Sequence, residues 1–254
     1  MTDNTLQEII LFQEDEQALN YRYKLPFMLD KKIAIKSIEY DVEAFLSKGI
    51  KLIGDRPSTG AVYFLHPYKN NEYIHANNIE AYLFEEKFTL YRRVGALLGA
   101  TSISTKVVSI EVEKLEIDVN GKVHVKAVNG EANVNYKRDS KYSRLEIVSE
   151  KIKQEAHFDR NKNIDELRKL MDDLNLHHEI GITSLIDARD SRDSGVLLKE
   201  KKIVSEISSE YNSLLKISAQ LSSPVFNVSS EFKRSLETVK KLNIEIEFIF
   251  DEHN

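Results

Sequence analysis

The chain has no cysteine, few glycines, few prolines and no long apolar run, and each shortage closes off a class of protein. Without cysteine there are no disulfides, no thiolate metal sites and no cysteine nucleophile. Nine glycines and four prolines in 254 residues fall below the usual frequencies of about 7% and about 5%. Long regular elements are therefore expected in place of a loop-built scaffold. No apolar run approaches the roughly 20 residues that a membrane-spanning helix needs. The acidic segment from Met1 to Gln17 lacks the basic start and apolar core of a secretory signal. The cytoplasm is the expected compartment, and the abundance of Lys, Ile, Asn and Glu fits a bacterial gene of low GC content. Positive charge is not in excess. A formal net charge of -5 and a pI near 5.9 argue against duplex nucleic acid as a partner, because phosphate neutralisation takes a concentrated positive field.

What remains is a chain with 41% hydrophobic residues, enough to bury a real core. Its clearest pattern runs from Asn78 to Ser149. On a helical wheel Leu83, Phe84, Phe88, Leu90, Tyr91, Val94, Leu97 and Leu98 share one half, and Glu85, Glu86, Thr89, Arg92 and Arg93 the other. Asn78 is the expected cap and Gly99 the expected stop. Beyond Gly99-Ala100-Thr101-Ser102 the period falls to 2. Val108, Ile110 and Val112 alternate with polar residues, and the apolar parity then jumps to Leu115, Ile117 and Val119, which predicts a β-bulge near Glu113-Lys114. Asn120-Gly121 and Asn129-Gly130 are hairpin signals, since a type I′ turn needs positive φ at both central residues. Val123, Val125, Ala127, Val134, Tyr136, Leu145 and Ile147 extend the alternation into a meander with one wet face.

Elsewhere the spacing predicts a helix over Thr5 to Ala18, a strand at Lys32 to Ile35 and a helix after the cap Ser37, with Gly49 as its stop. Short buried strands follow at Ile50 to Ile53 and Ala61 to Leu65. A helix starting at Asn163 ends near His177-His178, and Ile180 to Ile186 reads as a strand. Alternating charges over 187–195 read as a solvated, mobile loop. A long helix is expected over Val204 to Leu221 and a terminal strand at Ile244 to Phe248. The resulting fold class is α+β: an antiparallel, meander-rich β-sheet with amphipathic helices packed on it. One domain over 1–254 is expected, with an internal parallel between about 30–150 and 160–254, because each half runs from an amphipathic helix through a small-residue break into alternating strands.

Residues that carry chemistry are sparse. The loop Gly54-Asp55-Arg56-Pro57-Ser58-Thr59-Gly60 offers an arginine, two hydroxyls and two glycines to an anion, so Arg56, Ser58 and Thr59, with His66 nearby, form the candidate phosphate site. The loop lacks the Gly-Lys-Ser/Thr ending of a P-loop, and a plain turn explains the same residues. His66 and His75 have no third ligand placed by spacing, so no metal and no cofactor is expected. There is no nucleophile elbow, zinc-protease pair or dinucleotide fingerprint, and the balance is against an enzyme.

Three functions follow. The first is a non-enzymatic intracellular protein that binds a protein partner or assembles into a homo-oligomer through exposed sheet and helix faces. The second is a membrane-acting, pore-forming-like effector whose hairpins from Ser102 to Ser149 rearrange into a barrel, for which about 9 to 11 alternating residues per strand suffice. The third is a nucleotide or phosphate-ligand enzyme built on the 54–60 loop.

Overall fold

Ile9-Ile10-Leu11-Phe12-Gln13 (β1) opens the described chain, and all five residues are buried. A continuous apolar run of this length does not distinguish helix from strand by period. Here it is a central strand, in place of the helix expected over Thr5 to Ala18. The computed structural model describes residues 7–24, 29–117, 123–127, 148–153, 159–174, 176–177, 179–190 and 198–250. Both Asn-Gly turns, the strand positions Val134, Tyr136, Leu145 and Ile147, and residues 191–195 of the expected mobile loop lie outside them.

The chain divides into two compact units. One comprises Met1–Tyr82, Val112–Val128 and Ser209–Lys240, and the other Leu83–Glu111, Asn129–Ser208 and Lys241–Asn254. The first unit is built on a five-stranded sheet in the order β2-β1-β4-β5-β3, where β2 is Ile33–Ser37, β3 Lys51–Ile53, β4 Val62–Leu65 and β5 Glu72–His75. β1 runs parallel to β2 and β3 parallel to β5, whereas β4 is antiparallel to both β1 and β5. The sheet is mixed, which corrects the expectation of an antiparallel meander. A parallel pair requires a crossover, and α1 (Asp15–Lys24) supplies one between β1 and β2.

One face of this sheet carries Ile10, Phe12, Tyr63 and Tyr73, and the helix α2 (Ile38–Ser47) lies on it through Ile38, Val42 and Phe45. Ser37 starts α2 as its sequence predicts. Its Oγ accepts from the Tyr40 N–H at 3.2 Å, and the Asp41 carboxylate accepts from the Ser37 N–H at 2.6 Å. This is a reciprocal cap with the acidic partner one residue later than in the usual box. The other face, with Phe64, packs on Phe232 of the short helix α7 (Ser230–Ser235).

In the second unit the 18-residue strand β6 (Ala100–Ile117) pairs through Ser102–Thr105 with β8 (Val148–Lys151) in antiparallel fashion. The terminal strand β10 (Thr238–Phe250) pairs antiparallel with β9 (Glu200–Glu206). Ile244, Ile246 and Phe248 are buried while Glu245 and Glu247 face Lys106 and Lys202, so this sheet has the dry and wet faces that alternation predicts. The outer end of β6 belongs to the first unit. There Glu113 to Ile117 pair one for one with Ala127 to Val123 of β7 (Val123–Ala127). The extra residue expected at Glu113-Lys114 is therefore absent against this partner. The parity jump coincides with the passage of the strand from one unit to the other at Val112, and nearer its start the buried positions are Ile103 and Thr105, while Val108 is exposed.

Three further elements depart from the periodicity. Ile180–Arg189 is a helix (α5), where a strand was expected and where a mobile loop was to begin at Asp187. Gly181 and Thr183 left its pattern short of a clear helical stripe, yet Ile182, Leu185 and Ile186 are all buried. The expected helix over Val204 to Leu221 divides into β9 and the helix α6 (Ser209–Ser218), since Ile203 and Ile207 fit both periods. The helix α4 (Arg160–Asp173) begins at the cap Asp159, whose carboxylate accepts from the Lys162 N–H, and not at Asn163.

Candidate functional site

The 54–60 loop joins β3 to β4, and its far end is fixed by packing. Gly60 has φ 82, and a Cβ there would come within 2.4 Å of the Asn227 carbonyl oxygen. Its N–H donates to the Phe12 carbonyl at 2.9 Å, and its carbonyl accepts from the Ser229 N–H at 3.3 Å. Glycine is required at this position by conformation and by close approach. Arg56 and Ser58 are exposed. The Thr59 hydroxyl donates to the Glu14 carboxylate at 3.5 Å. The loop thus meets two carboxylates, its own Asp55 and Glu14 at Thr59.

His66 follows β4 at its opposite end, roughly 13 Å of strand away by the usual rise per residue, so it is not brought to Arg56, Ser58 and Thr59. It is buried, accepts from the Tyr68 N–H at Nδ1, and meets Tyr68 and Tyr82 edge-on. The backbone pairing sets His75 opposite Tyr63, and the His66 N–H donates to the Glu72 carbonyl. The three residues from Tyr63 to His66 place the two histidines on opposite faces of the sheet. Among the described residues no group of three His, Asp or Glu side chains has the geometry to hold a metal ion, and no helix is long and apolar enough to cross a membrane.

A different constellation forms at the near end of the loop, where the parallel strands β3 and β5 both end and α3 (Ala76–Leu97) begins. His75 is 7% exposed. Its Nδ1 accepts from the Asn77 N–H at 3.3 Å and lies 3.5 Å from the Asp55 carboxylate. The ring meets Tyr63 edge-on at 5.1 Å, and the Tyr63 hydroxyl donates to the Asp55 backbone carbonyl. Gly54 allows the loop to approach, because a Cβ on it would stand 3.1 Å from the His75 Cβ and 3.2 Å from Asn78. Asn77 Nδ2 donates to Glu231 of α7 at 2.8 Å. Burial holds the His75 imidazole below the usual histidine range, against the pull of Asp55 and Glu231. Burial, reinforced by Asp55, pushes the Tyr63 phenol up to about 12.

His75 is thus the cap of α3. The helix starts two residues before the expected cap, Asn78, and an imidazole nitrogen fills the place usually taken by a Ser, Thr, Asp or Asn oxygen. The signal was present in the sequence, since a histidine ends the alternating Tyr73-Ile74-His75 and directly precedes Ala76-Asn77-Asn78.

The second unit holds two buried cations that sequence reasoning missed. Lys87 lies on the apolar stripe of α3, four residues from both Leu83 and Tyr91. Its ammonium meets the Glu179 carboxylate at 2.9 Å, with both side chains at most 7% exposed, and it donates to the Glu206 carbonyl at 3.2 Å. Tyr91 donates to Glu179 at 3.4 Å. Glu179 occupies the N-cap position of α5 without capping it. Arg189, in the segment expected to have nothing to bury, is 1% exposed. Its guanidinium donates to the carbonyls of Leu98 and Leu198 and lies 4.1 Å from the centre of the Phe250 ring. Burial, with a contribution from Arg160, lowers its pKa to about 10. A pocket of 240 Å³ is lined by Arg168, Met171, Asp172, His177, Thr183, Ile186 and Asp187. Its charges are already paired, His177 with Asp172 at 2.8 Å and Arg168 with Asp190 at 3.2 Å.

Comparison with protein-family models, with curated proteins and with solved structures finds no match. The reading of function rests on the chain's own residues.

Proposed function

We propose that this is a non-enzymatic protein that assembles with a second copy of itself through the α2 side of its first unit. The observation that carries this is that α2, an amphipathic helix, lies on the sheet without burying one of its own residues. Ile38, Val42 and Phe45 remain partly open beside Leu52 and Leu65, and Tyr40 and Leu46 are 72% and 58% exposed. That stripe faces the sheet and is only partly sealed by it, and the apolar groups left for a partner to cover are Tyr40 and Leu46 on the outer side and flank of the helix. The neighbouring α1 adds exposed Leu19 and Tyr23.

The charges favour a second copy over an unrelated partner. Glu39 is exposed in the first turn of α2 and Glu43 at its middle, and Lys48 follows its carboxyl end. Two such helices placed antiparallel about a two-fold axis set acid against base in both directions, which is the self-complementarity that an isologous contact requires.

Light scattering coupled to size-exclusion chromatography across a concentration series tests the reading. The expected result is a dimer that dissociates on dilution and is lost in the double substitution Tyr40→Asp with Leu46→Asp. Glu39→Lys is expected to weaken the dimer, and adding Lys48→Glu to restore it. A chain that stays monomeric at the highest attainable concentration, or a dimer indifferent to all four substitutions, refutes it.

A further inference from the structure

The cap of α3 differs from an ordinary N-cap in one respect, which is that it can be protonated. The Nδ1 atom of His75 stands within reach of two partners that exclude one another. The Asn77 N–H at 3.3 Å needs a lone pair on Nδ1, and the Asp55 carboxylate at 3.5 Å needs a proton there. Only the neutral ring caps the helix. Protonation also places a positive charge at the end of α3 that already carries positive partial charge. The imidazolium then loses its place on the helix and gains one on Asp55.

We propose that His75 is a pH-operated switch between the start of α3 and the 54–60 loop: neutral, it caps the helix through Asn77, and protonated, it releases that N–H and holds Asp55. Among the described residues the titratable groups facing it are Asp55 from the loop, Tyr63 from β4 and Glu231 from α7. Asn77 and Asn78 face it from α3 without charge. Both carboxylates stabilise the protonated state, and burial and the helix terminus oppose it. The Asp55 carboxylate has room to respond, because Tyr63 grips only the backbone carbonyl of that residue and leaves its carboxylate exposed. The switch does not depend on the self-association proposed above.

The test uses the full chain labelled with ¹⁵N. Imidazole ¹H–¹⁵N correlation spectra read the tautomer of His75, and amide exchange reads the protection of Asn77. At neutral pH the His75 proton is expected on Nε2, leaving Nδ1 bare. Its titration midpoint is expected to fall by about half a pH unit in Asp55→Asn, the size of a partly exposed ion pair. The comparison variant is His75→Asn, which keeps an acceptor at the cap and cannot titrate. Below the His75 midpoint, protection of the Asn77 amide in the wild type is expected to drop about fivefold relative to this variant at the same pH, the size of a lost N-cap. A neutral ring protonated on Nδ1 overturns the proposal, and so does an Asn77 amide whose protection relative to His75→Asn is the same on both sides of the midpoint. The tautomer is read on the wild type alone, so it decides even if a variant fails to fold.

Discussion

Lys87 makes a strong demand on its surroundings. A buried ammonium is tolerated because the Glu179 carboxylate, the Glu206 carbonyl and the neighbouring Tyr91 hydroxyl form one connected network. The attraction within such a pair roughly offsets the cost of taking both charges out of water, whereas removing one partner leaves the other charge buried alone. Lys87→Met is therefore expected to cost about 3–5 kcal/mol of stability, and Glu179→Leu a similar amount. The double variant is expected to recover most of the loss, because neither charge remains. Urea unfolding of the four proteins in a double-mutant cycle measures this. Additive losses would show that the pair does not act as a unit. His75 belongs at the same scale, since there one nitrogen decides how α3 starts.

At the scale of elements, the sequence was legible wherever one residue type had one structural use. Ser37 could only cap, Gly49 and Gly99 took the positive φ that stops a helix, and the alternation from Ile244 to Phe248 is a strand with one dry face. It was not legible where an apolar run lacked a period. β1 was read as the wrong element because it is buried on every side, which erases the polar positions that distinguish 3.6 from 2, and α5 because its buried stripe, Ile182, Leu185, Ile186 and Arg189, ends in a charge while the apolar Ile180 is exposed off it. The parallel pairs were hidden for a different reason, since strand direction is set by a crossover and not by the residues that pair. For the candidate site, the 54–60 loop was found, but its neighbour across the sheet was taken to be His66 when the register brings His75.

Arg189 was missed because charge in the run from Asp187 to Asp190 was taken as a sign of solvation. Its guanidinium instead serves the end of α3, where the Leu98 carbonyl would otherwise lack a partner in the helix. Arg189→Met is expected to cost roughly 2–5 kcal/mol by leaving the Leu98 and Leu198 carbonyls unpaired. Arg189→Lys is expected to recover little of it, because an ammonium cannot fork between two carbonyls while stacking on Phe250. Thermal unfolding of both variants checks the order, and a lysine variant as stable as the wild type would mean that charge alone suffices.

For the molecule as a whole, the buried titratable groups of the first unit predict a stability that falls at both ends of the pH scale. His75 is held below its ordinary range by burial, so the unfolded chain binds its proton first. Its contribution is complete above about pH 6.5 and is lost as pH falls through the lower folded value. Glu72 acts in the same direction further down. Burial works to raise its pKa, but the hydrogen bond from Lys51 and the charges of Lys69, Lys51 and His66 outweigh it and hold the carboxyl below its usual value. Its contribution is complete above about pH 4.3 and disappears as the folded carboxylate is protonated. The alkaline limb has the opposite sign. Tyr63 and Tyr73 are pushed up to about 12, by burial in both cases and by Asp55 for Tyr63. The folded state therefore holds their protons longer than the unfolded chain, and from pH 10 to pH 12 each withdraws stability, to an extent of roughly 2 kcal/mol. The urea midpoint is expected to be flat from about pH 7 to pH 9 and to fall on either side. Tyr73→Phe is expected to be less sensitive to alkali than the wild type and His75→Asn less sensitive to mild acid. Because all four groups lie on β4 and β5 or at their ends, hydrogen exchange is expected to register the first loss of protection there. A midpoint at pH 11 equal to that at pH 8 would show that the two phenols titrate as freely in the folded chain as in the unfolded one.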